Sequence, residues 1–487
     1  MTGRKHAPTL PGVLVGAALA SALLAACTTP IGPDFHRPQA VMTDHWSAAG
    51  WRDAHPADQV PRGAWWSIYH DALLDRLEAS AETDSPTLQA ALARVRQADA
   101  LTAFARGATA PQVGAGLNAS RIRTSANRDV ATYNQALPST TQNDFNAGLS
   151  VRWETDLVGG LRRNIEAAEA SADQARADAQ TVRLMISANI ASTYFSVRAL
   201  DADVEQLAGL LSLQERILEL TRRRVELGQG TALDITTQLS LVEATRVQLD
   251  TLRSQRGSQV AALAALTGQP APDFQLEPAP LAEHIPHPDL GLPADLLERR
   301  PDVASAERAV AQANAQIGVA MAARYPDLAL TGNAGADSRI IGRLLDAPSA
   351  LWTFGASLAA VVYDGGRIDA TVQAARANHE ATVASYRSTV LGALSEVEGA
   401  LTTEEVLKAA SAREETALAV ARRQLEQYTQ RRAAGYGIAT DVLIAEQAVR
   451  VAERTAVDIR GQRLVNSVFL VKALGGGWQQ AVTSPAR

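Results

Sequence analysis

The chain has 487 residues, a formal net charge of -6, 5% aromatic residues and a single cysteine, Cys27. A mildly acidic chain gives no indication of a nucleic-acid partner, and one cysteine excludes any disulfide within the chain. The alanine-rich, aromatic-poor composition is typical of long helices that pack closely through small side chains.

The N-terminus reads as an export signal. A short basic segment precedes an apolar stretch over residues 10–26, which is short for a spanning helix, since such a helix needs roughly 20 residues. The stretch ends in Leu-Ala-Ala-Cys and resembles the bacterial lipobox, in which the cysteine becomes the first residue and its sulfur carries diacylglycerol. We therefore predict a signal peptide over 1–26, lipid attachment at Cys27, and a lipid-anchored segment with a first helix over 27–84.

The remaining chain contains one sequence pattern twice. Three blocks of the first half align, in the same order, with three blocks of the second: 85–120 with 300–335, 156–177 with 362–383, and 222–234 with 429–441. Blocks repeated in one order predict an internal two-fold repeat. Its predicted parts are repeat 1 over 85–267, a proline-rich linker over 268–293, repeat 2 over 294–478 and a flexible tail over 479–487.

Each repeat carries two stretches in which apolar and polar residues alternate. One runs from Phe145 to Trp153, and another begins with Trp352 and Phe354. A period of two predicts strands with one apolar face. The predicted strands cover about 112–122, 144–154, 327–336 and 352–362.

Strands of about 9–11 residues with aromatic residues near their ends are typical of outer-membrane barrels. We therefore predict that the strands cross a bilayer and that Phe145, Trp153, Trp352 and Phe354 lie at its interfaces. The same alternation also occurs in a soluble sandwich whose apolar face covers a core. The long helices predicted next to the strands leave few segments for a sandwich, which favours membrane strands.

Two long stretches without proline predict very long helices, over 161–227 and 367–434. At 1.5 Å per residue such a helix extends about 100 Å, and apolar residues recur along it every three or four positions, as in a coiled coil. A second helix follows each, over 232–267 and 440–474. Glycines permit the tight reversal between the two helices of each pair. They are Gly228, Gly230, Gly435 and Gly437.

Membrane strands require more than one copy of this chain. A sheet edge in lipid leaves backbone groups unpaired, so the sheet must close into a barrel. Two chains would provide eight strands, a barrel that side chains fill, whereas three would provide twelve, with room for a lumen. The residues by themselves predict only an oligomer.

Motifs spread over most of the chain resemble one known family. They are GPDFHRP at 32–38, WWSIYHDALLDRL at 65–77, the segments 296–332 and 362–401, and LVKALGGGW at 470–478. On these motifs the chain resembles the TolC-like outer-membrane efflux proteins, in the lipoprotein branch often called NodT-type outer-membrane factors.

The resemblance implies a mainly α-helical protein with a transmembrane β part. It implies a homotrimer with a 12-stranded β-barrel among outer-membrane lipid and a long-helix α-barrel in the periplasm. It further implies that the tips at Gly228, Gly230, Gly435 and Gly437 contact a periplasmic adaptor, or membrane fusion protein, which links the channel to an inner-membrane pump of the RND type. Such a channel passively conducts drugs or other small toxic compounds and has no catalytic residue, cofactor or metal.

Members of this branch often carry an acidic residue just after the second tip, where it lines the closed periplasmic aperture. Ile444 occupies that place in this chain. Four nearby charged residues are therefore candidates for an aperture network: Glu226, Asp234, Arg431 and Asp441. Solvated charges at helix ends would give the same pattern.

Two other functions remain open at this point. A type I secretion duct would export proteins, and a non-conducting structural lipoprotein would act as a periplasmic spacer, although a spacer has no use for alternating strands. Catalysis is not indicated, because no nucleophile elbow or phosphate-binding loop occurs. The close histidine pair His284 and His287 has one acidic neighbour, Glu283, which is weak support for a metal site.

Overall fold

A computed structural model describes residues 29–39, 63–123, 125, 141–286 and 299–476. Cys27, the predicted signal peptide, the predicted tail and the end of the predicted linker lie outside the described residues. The chain divides into two compact units. The first contains the described residues of 1–38, 96–174 and 307–385, and the second contains those of 39–95, 175–306 and 386–487.

The described residues are mainly α-helical, with one small sheet, as the sequence predicts. In chain order the elements are α1 (Ala72–Asp84), α2 (Pro86–Gly107), β1 (Gln112–Arg123), β2 (Thr141–Thr155), α3 (Gly160–Glu226), α4 (Ala232–Leu266), α5 (Pro301–Ala322), β3 (Asp327–Ser338), β4 (Ala350–Ala359), α6 (Arg367–Ala433) and α7 (Ala439–Ala473). The long helices α3 and α6 contain 67 residues each. Among the described helices, not one has the length and low polarity that crossing a bilayer requires.

Local chemistry sets the start of each long helix. Gly159 has φ +85°, in the left-handed region that other residues rarely adopt. The Asp156 carboxylate then accepts hydrogen bonds from the N–H groups of Leu161 and Arg162, both at 3.0 Å. These bonds satisfy donors that a helix N-terminus leaves unpaired. At the start of α6 the Asp364 carboxylate accepts hydrogen bonds from the N–H groups of Gly366 at 2.9 Å and Ile368 at 2.6 Å.

The strands form one antiparallel sheet in the order β1-β2-β3-β4. Among the described residues, the edge strands β1 and β4 are paired on one side only. The fourth strand ends at Ala359, not at the predicted 362. Ala359 pairs with Asp327, the first residue of β3, so β3 offers no partner beyond it.

The core of the second unit consists of aromatic and aliphatic side chains from α1, α3, α4, α7 and a short 3-10 helix, Trp65–Tyr69. The Tyr69 and Phe195 rings lie 4.7 Å apart between centroids. The Tyr69 hydroxyl shares a hydrogen bond of 2.8 Å with the Ser467 hydroxyl. Burial of these side chains is the main stabilising contribution in this unit.

A buried ion cluster attaches the proline-rich segment to the helices of this unit. Asp201 accepts hydrogen bonds from Arg198 at 2.9 Å and from Arg256 at 2.5 Å. Both arginines also donate to backbone carbonyl oxygens of the segment, at Glu277 and Leu276. Each buried charge is therefore paired, which a stable interior requires.

One acidic side chain of this core lacks such compensation. Glu78 is only 2% exposed, and its Oε1 atom has no hydrogen-bond partner among the described residues. Burial raises the pKa of its carboxyl from 4.5 to about 9, and nearby Glu82 and Asp75 act in the same direction. Glu78 is therefore protonated at neutral pH in the folded chain.

We predict that Glu78→Gln stabilises the protein in a pH-dependent way. Between pH 4.5 and 9 the unfolded chain releases a proton that the folded chain keeps, so the free energy of unfolding falls as pH rises through this range. The glutamine of the variant does not titrate, so it does not cause this fall in the free energy of unfolding. Its melting temperature should exceed that of the unmodified chain at pH 8 and match it at pH 4, by circular dichroism in detergent.

The exposed Glu205 provides the matched control, because Glu205→Gln leaves the core unchanged. If Glu78→Gln shows the same difference at pH 4 and pH 8, the buried carboxyl does not titrate as described.

Candidate functional site

The two faces of the sheet differ in chemistry. The register places residues of like character opposite each other in all three strand pairs. The apolar face carries Val113, Leu117, Phe145, Leu149, Val151, Trp153, Leu330, Trp352, Phe354 and Leu358. The polar face carries Gln112, Asn118, Asn146, Ser150, Arg152, Thr331, Asn333, Thr353 and Ser357. Leu117 and Trp352 are each 79% exposed, so the apolar face is uncovered in a single chain.

The aromatic residues predicted at membrane interfaces all lie on the apolar face. Trp153 lies near the end of β2, where its indole N–H donates to the carbonyl oxygen of Thr109 at 2.9 Å. Phe145 lies towards the other end of the same strand, whereas Trp352 and Phe354 pair with the middle of β3. The structure thus places the four on one face, and their depth in a bilayer stays a prediction.

Glycines occupy the centre of the polar face. Gly116, Gly148 and Gly335 lie side by side on three neighbouring strands. A Cβ atom at Gly335 would lie 2.3 Å from the Ala147 carbonyl oxygen, so a side chain there would force the strands apart. The centre of this face is therefore formed largely by backbone, with Leu351 of β4 opposite Gly335.

Residues 29–38, here called the strap, are held by a buried arginine of α3. The Arg163 side chain is 4% exposed, and its guanidinium donates to the carbonyl oxygens of Ile31 at 3.0 Å and Gly32 at 3.3 Å. It also pairs with the Asp34 carboxylate at 2.7 Å, which lowers the pKa of that carboxyl. A buried guanidinium needs these partners, so α3 and the strap stabilise each other.

The strap also contacts α5. The Asn314 amide donates to the carbonyl oxygen of Pro33 at 2.8 Å. Gly32, with φ +96°, approaches so closely that a Cβ atom would lie 2.6 Å from the Gly318 Cα. The sequence motif at 32–38 marks this segment but not its partners, because Arg163 is 129 residues from Asp34 and Asn314 is 281 residues from Pro33.

The two predicted helix reversals have the same backbone structure. Gly228 follows α3 with φ +71°, and Gly435 follows α6 with φ +81°. The next residues, Gln229 and Tyr436, donate their N–H groups to carbonyl oxygens five residues earlier, at 2.8 and 3.0 Å. This is a glycine-based helix C-cap, so a side chain at either glycine would strain the turn.

Apolar side chains are exposed at both reversals, here called the tips. Leu227 and Leu233 are exposed at the first tip, and Tyr436 and Ile438 at the second. The second glycine of each tip packs against the preceding helix. A Cβ atom at Gly230 would lie 3.1 Å from Val225, and one at Gly437 would lie 3.0 Å from the Arg432 backbone.

The tips differ in how the returning helix begins. At the first tip, the Asp234 carboxylate accepts hydrogen bonds from the Thr231 N–H at 2.8 Å and hydroxyl at 3.0 Å. These bonds lower the pKa of Asp234. Ile438 occupies the place of Thr231 at the second tip and has no side-chain hydrogen bond. Asp441 holds the same helical position as Asp234 without that partner.

The four predicted aperture residues are not joined within one chain. Across the described ranges, no hydrogen bond or ion pair connects any two of Glu226, Asp234, Arg431 and Asp441. Asp234 is engaged in its helix cap. A network of these four residues between copies of the chain stays a prediction.

No metal centre is found in the part of the chain that the structure describes. This part contains no group of three or more histidine, cysteine, aspartate or glutamate side chains placed to hold a metal ion. The rings of His284 and His70 lie 6.3 Å apart between centroids. His287 lies outside the described residues.

Comparison with known proteins connects this geometry to a family. The sequence profile described as "Outer membrane efflux protein" matches residues 78–269 and 292–476. The pyoverdine export outer membrane protein OpmQ of Pseudomonas putida is 33% identical over 98% of this chain and 100% of its own length. The antibiotic efflux pump outer membrane protein ArpC of Pseudomonas putida is 29% identical, over 96% of each chain. The solved structure of the outer-membrane channel OprN is 25% identical, with a TM-score of 0.81 over 92% of this chain and 99% of that one.

Proposed function

The chain belongs to the outer membrane efflux protein family, and we propose that three copies form the outer-membrane exit channel of a tripartite efflux system. In this proposal the channel passively conducts small toxic compounds, drugs among them. It receives them from a periplasmic adaptor and an inner-membrane pump of the RND type. The observation that carries the proposal is a sheet with an uncovered apolar face, a polar face and two half-paired edges.

The membrane accounts for both the apolar face and the edges. Exposed apolar side chains such as Leu117 and Trp352 are unfavourable in water but not in lipid. Lipid offers no hydrogen bonds to the outer backbone groups of β1 and β4, so these strands must pair with further strands. Three sheets give twelve strands, which leave a lumen. The polar face, with Asn118, Asn146 and Asn333, would line it.

The strap supports a lipid anchor at the same membrane. The Ile31 N–H donates to the carbonyl oxygen of Val158 at 2.9 Å, just beyond the end of β2 at Thr155. Cys27 precedes Ile31 by four positions in the sequence, and a chain extends at most about 3.6 Å per residue. Acyl chains on Cys27 and the Trp153 end of β2 would therefore enter the same leaflet.

The tips support contact with an adaptor. Both combine a rigid glycine turn with exposed Leu227, Leu233, Tyr436 and Ile438. Exposed apolar groups on a rigid turn are typical of protein-binding surfaces. Three chains would present six such tips.

The proposed cargo is small molecules, not proteins. The names of the relatives specify pyoverdine export and antibiotic efflux, both of which concern small molecules. A type I protein duct has no comparable support here. A non-conducting spacer would not explain a sheet with one apolar and one polar face.

We predict that Cys27→Ser abolishes incorporation of radioactive palmitate in cells, because it removes the sulfur that the lipobox would present for acylation. Labelling of the unmodified chain is the reference, and immunoblotting shows that both chains are made in equal amounts. Persistent labelling of the variant would refute the anchor.

We predict that cysteines at the tips, Gln229→Cys and Tyr436→Cys, form cross-links to a co-expressed periplasmic adaptor through a reagent that carries a maleimide, which reacts with the thiol, and a benzophenone, which on illumination inserts into C–H bonds of the adaptor. The exposed Glu415 of α6 provides a control position away from both turns, as Glu415→Cys. The products are separated on denaturing gels and identified by mass. Equal cross-linking at all three positions would contradict a tip contact.

Single-channel recording in planar bilayers tests the channel itself and its aperture. Asp441→Ala should raise the time-averaged conductance, because each of the three copies would lose an inter-chain hydrogen bond, and each loss favours the open state by about 1 kcal/mol, roughly fivefold. The control variant Glu415→Ala should have the same conductance as the unmodified chain. Unchanged conductance in Asp441→Ala would remove Asp441 from the aperture, and silence of every chain would refute the channel.

A further inference from the structure

The two ends of the sheet lie in different surroundings. At one end are the strand termini Gln112, Thr155, Asp327 and Ala359, which adjoin the helices in the sequence. The other end, here called the rim, consists of the last residues of β1, the first residues of β2 and the connection between β3 and β4, residues 339–349. In the proposed membrane setting the lipid anchor belongs to the helical end, so the rim belongs to the opposite leaflet.

Arginines are concentrated at the rim. Among its described residues they are Arg121 and Arg123, at the end of β1, and Arg339 and Arg343, in the connection. All four are exposed. The connection itself contains one acidic residue, Asp346.

The charges of the strands at the rim are separated by face. Arg121 and Arg123 belong to the same alternating set as Leu117, on the apolar face. Asp144 and Asp337 belong to the other set, on the polar face. The acidic residues of the strands are therefore on the side of the proposed lumen, and the arginines of β1 are on the side of the lipid.

The apolar face changes from apolar to basic within one step of β1. Ala119 lies opposite Phe145, and Arg121 follows about 7 Å further along the strand. In membrane strands aromatic residues mark the interface, and long basic side chains extend from there to the headgroups. We therefore expect Arg121 and Arg123 at the level of the lipid headgroups.

The connection between β3 and β4 presents apolar side chains beside its arginines. Leu344 is buried, and the Ser349 hydroxyl donates to the carbonyl oxygen of Arg343 at 2.7 Å, so the connection is folded on itself. Ile341 and Leu345 are nevertheless 68% and 92% exposed. Exposed apolar side chains next to basic ones are typical of a surface that enters the boundary between acyl chains and headgroups.

We propose that the rim binds a lipid that carries several phosphate groups, in the leaflet opposite the anchor. The four arginines pair with its phosphates, and the exposed apolar side chains of the connection contact its acyl chains. This inference rests on the proposed outer-membrane channel and adds the lipid that contacts its outer end.

The chemistry of arginine fits this partner. The planar guanidinium forms paired hydrogen bonds to phosphate oxygens, and the attraction to anionic headgroups increases with each arginine near the membrane surface. Four arginines in each chain therefore favour a lipid with two or more phosphates over a zwitterionic phospholipid. A soluble polyanion would engage the arginines but leave Ile341 and Leu345 in water.

Native mass spectrometry of the full-length protein in a neutral detergent tests this binding. Diphosphoryl lipid A is the probe, and phosphatidylethanolamine is the comparison lipid, which should bind more weakly. The combined variant Arg121→Gln, Arg123→Gln, Arg339→Gln and Arg343→Gln should bind lipid A about tenfold more weakly or less than that. Circular dichroism checks that this variant is folded.

A second variant tests the contact with acyl chains. Ile341→Ser with Leu345→Ser keeps the charge of the rim and should still weaken the binding of lipid A. Unchanged binding would mean that only phosphates are recognised, which overturns the proposed contact with a lipid.

A matched control removes four arginines from exposed helical positions. It combines Arg222→Gln, Arg224→Gln, Arg387→Gln and Arg413→Gln, and it should bind lipid A as the unmodified chain does. Equal affinity of the rim variant and the unmodified chain overturns the inference, and so does an equal loss of affinity in both quadruple variants.

The fate of the proposed function is measured separately. If the chain conducts in planar bilayers but the rim variant binds lipid A as well as the unmodified chain does, the inference about the rim is overturned and the channel remains. Silence of every chain in planar bilayers overturns the channel instead.

Discussion

Unpaired backbone groups along a sheet edge are the constraint on which this molecule depends. The sheet has two edges, β1 and β4, and an apolar face that no other part of the described chain covers. In lipid, no solvent can satisfy those backbone groups. A single chain is therefore incomplete in its proposed setting, and its copies must supply the missing hydrogen bonds.

Each repeat contributes one hairpin to the sheet. The two hairpins pair through β2 and β3, which shows within one chain how hairpins of this sequence join. The repeats have nevertheless diverged where the helices reverse. Thr231 and Asp234 cap the returning helix at the first tip, whereas Ile438 cannot form that cap and Asp441 remains available for other partners. The second tip is thus the better candidate for a contact that changes between the closed and open states of the proposed aperture.

The strap couples the N-terminal segment to the same unit as the sheet. Arg163 has its guanidinium buried and directed at the carbonyl oxygens of Ile31 and Gly32. Without the strap the guanidinium would keep its ion pair with Glu166 but would lose its carbonyl partners and Asp34. A lipid anchor placed just before the strap would therefore hold the folded unit, and not a loose tail, at the membrane.

The sequence by itself determined the features that depend on local chemistry. Glycines and aspartates within a few residues of each other mark where the long helices begin and end, and alternation assigns each strand residue to a face. The cap formed by Thr231 and Asp234 also follows from residues three apart in the sequence. Tertiary structure alone decided the strap partners of Arg163, because they lie more than a hundred residues away. It also decided where β4 ends, because a strand extends only as far as its neighbour can pair with it.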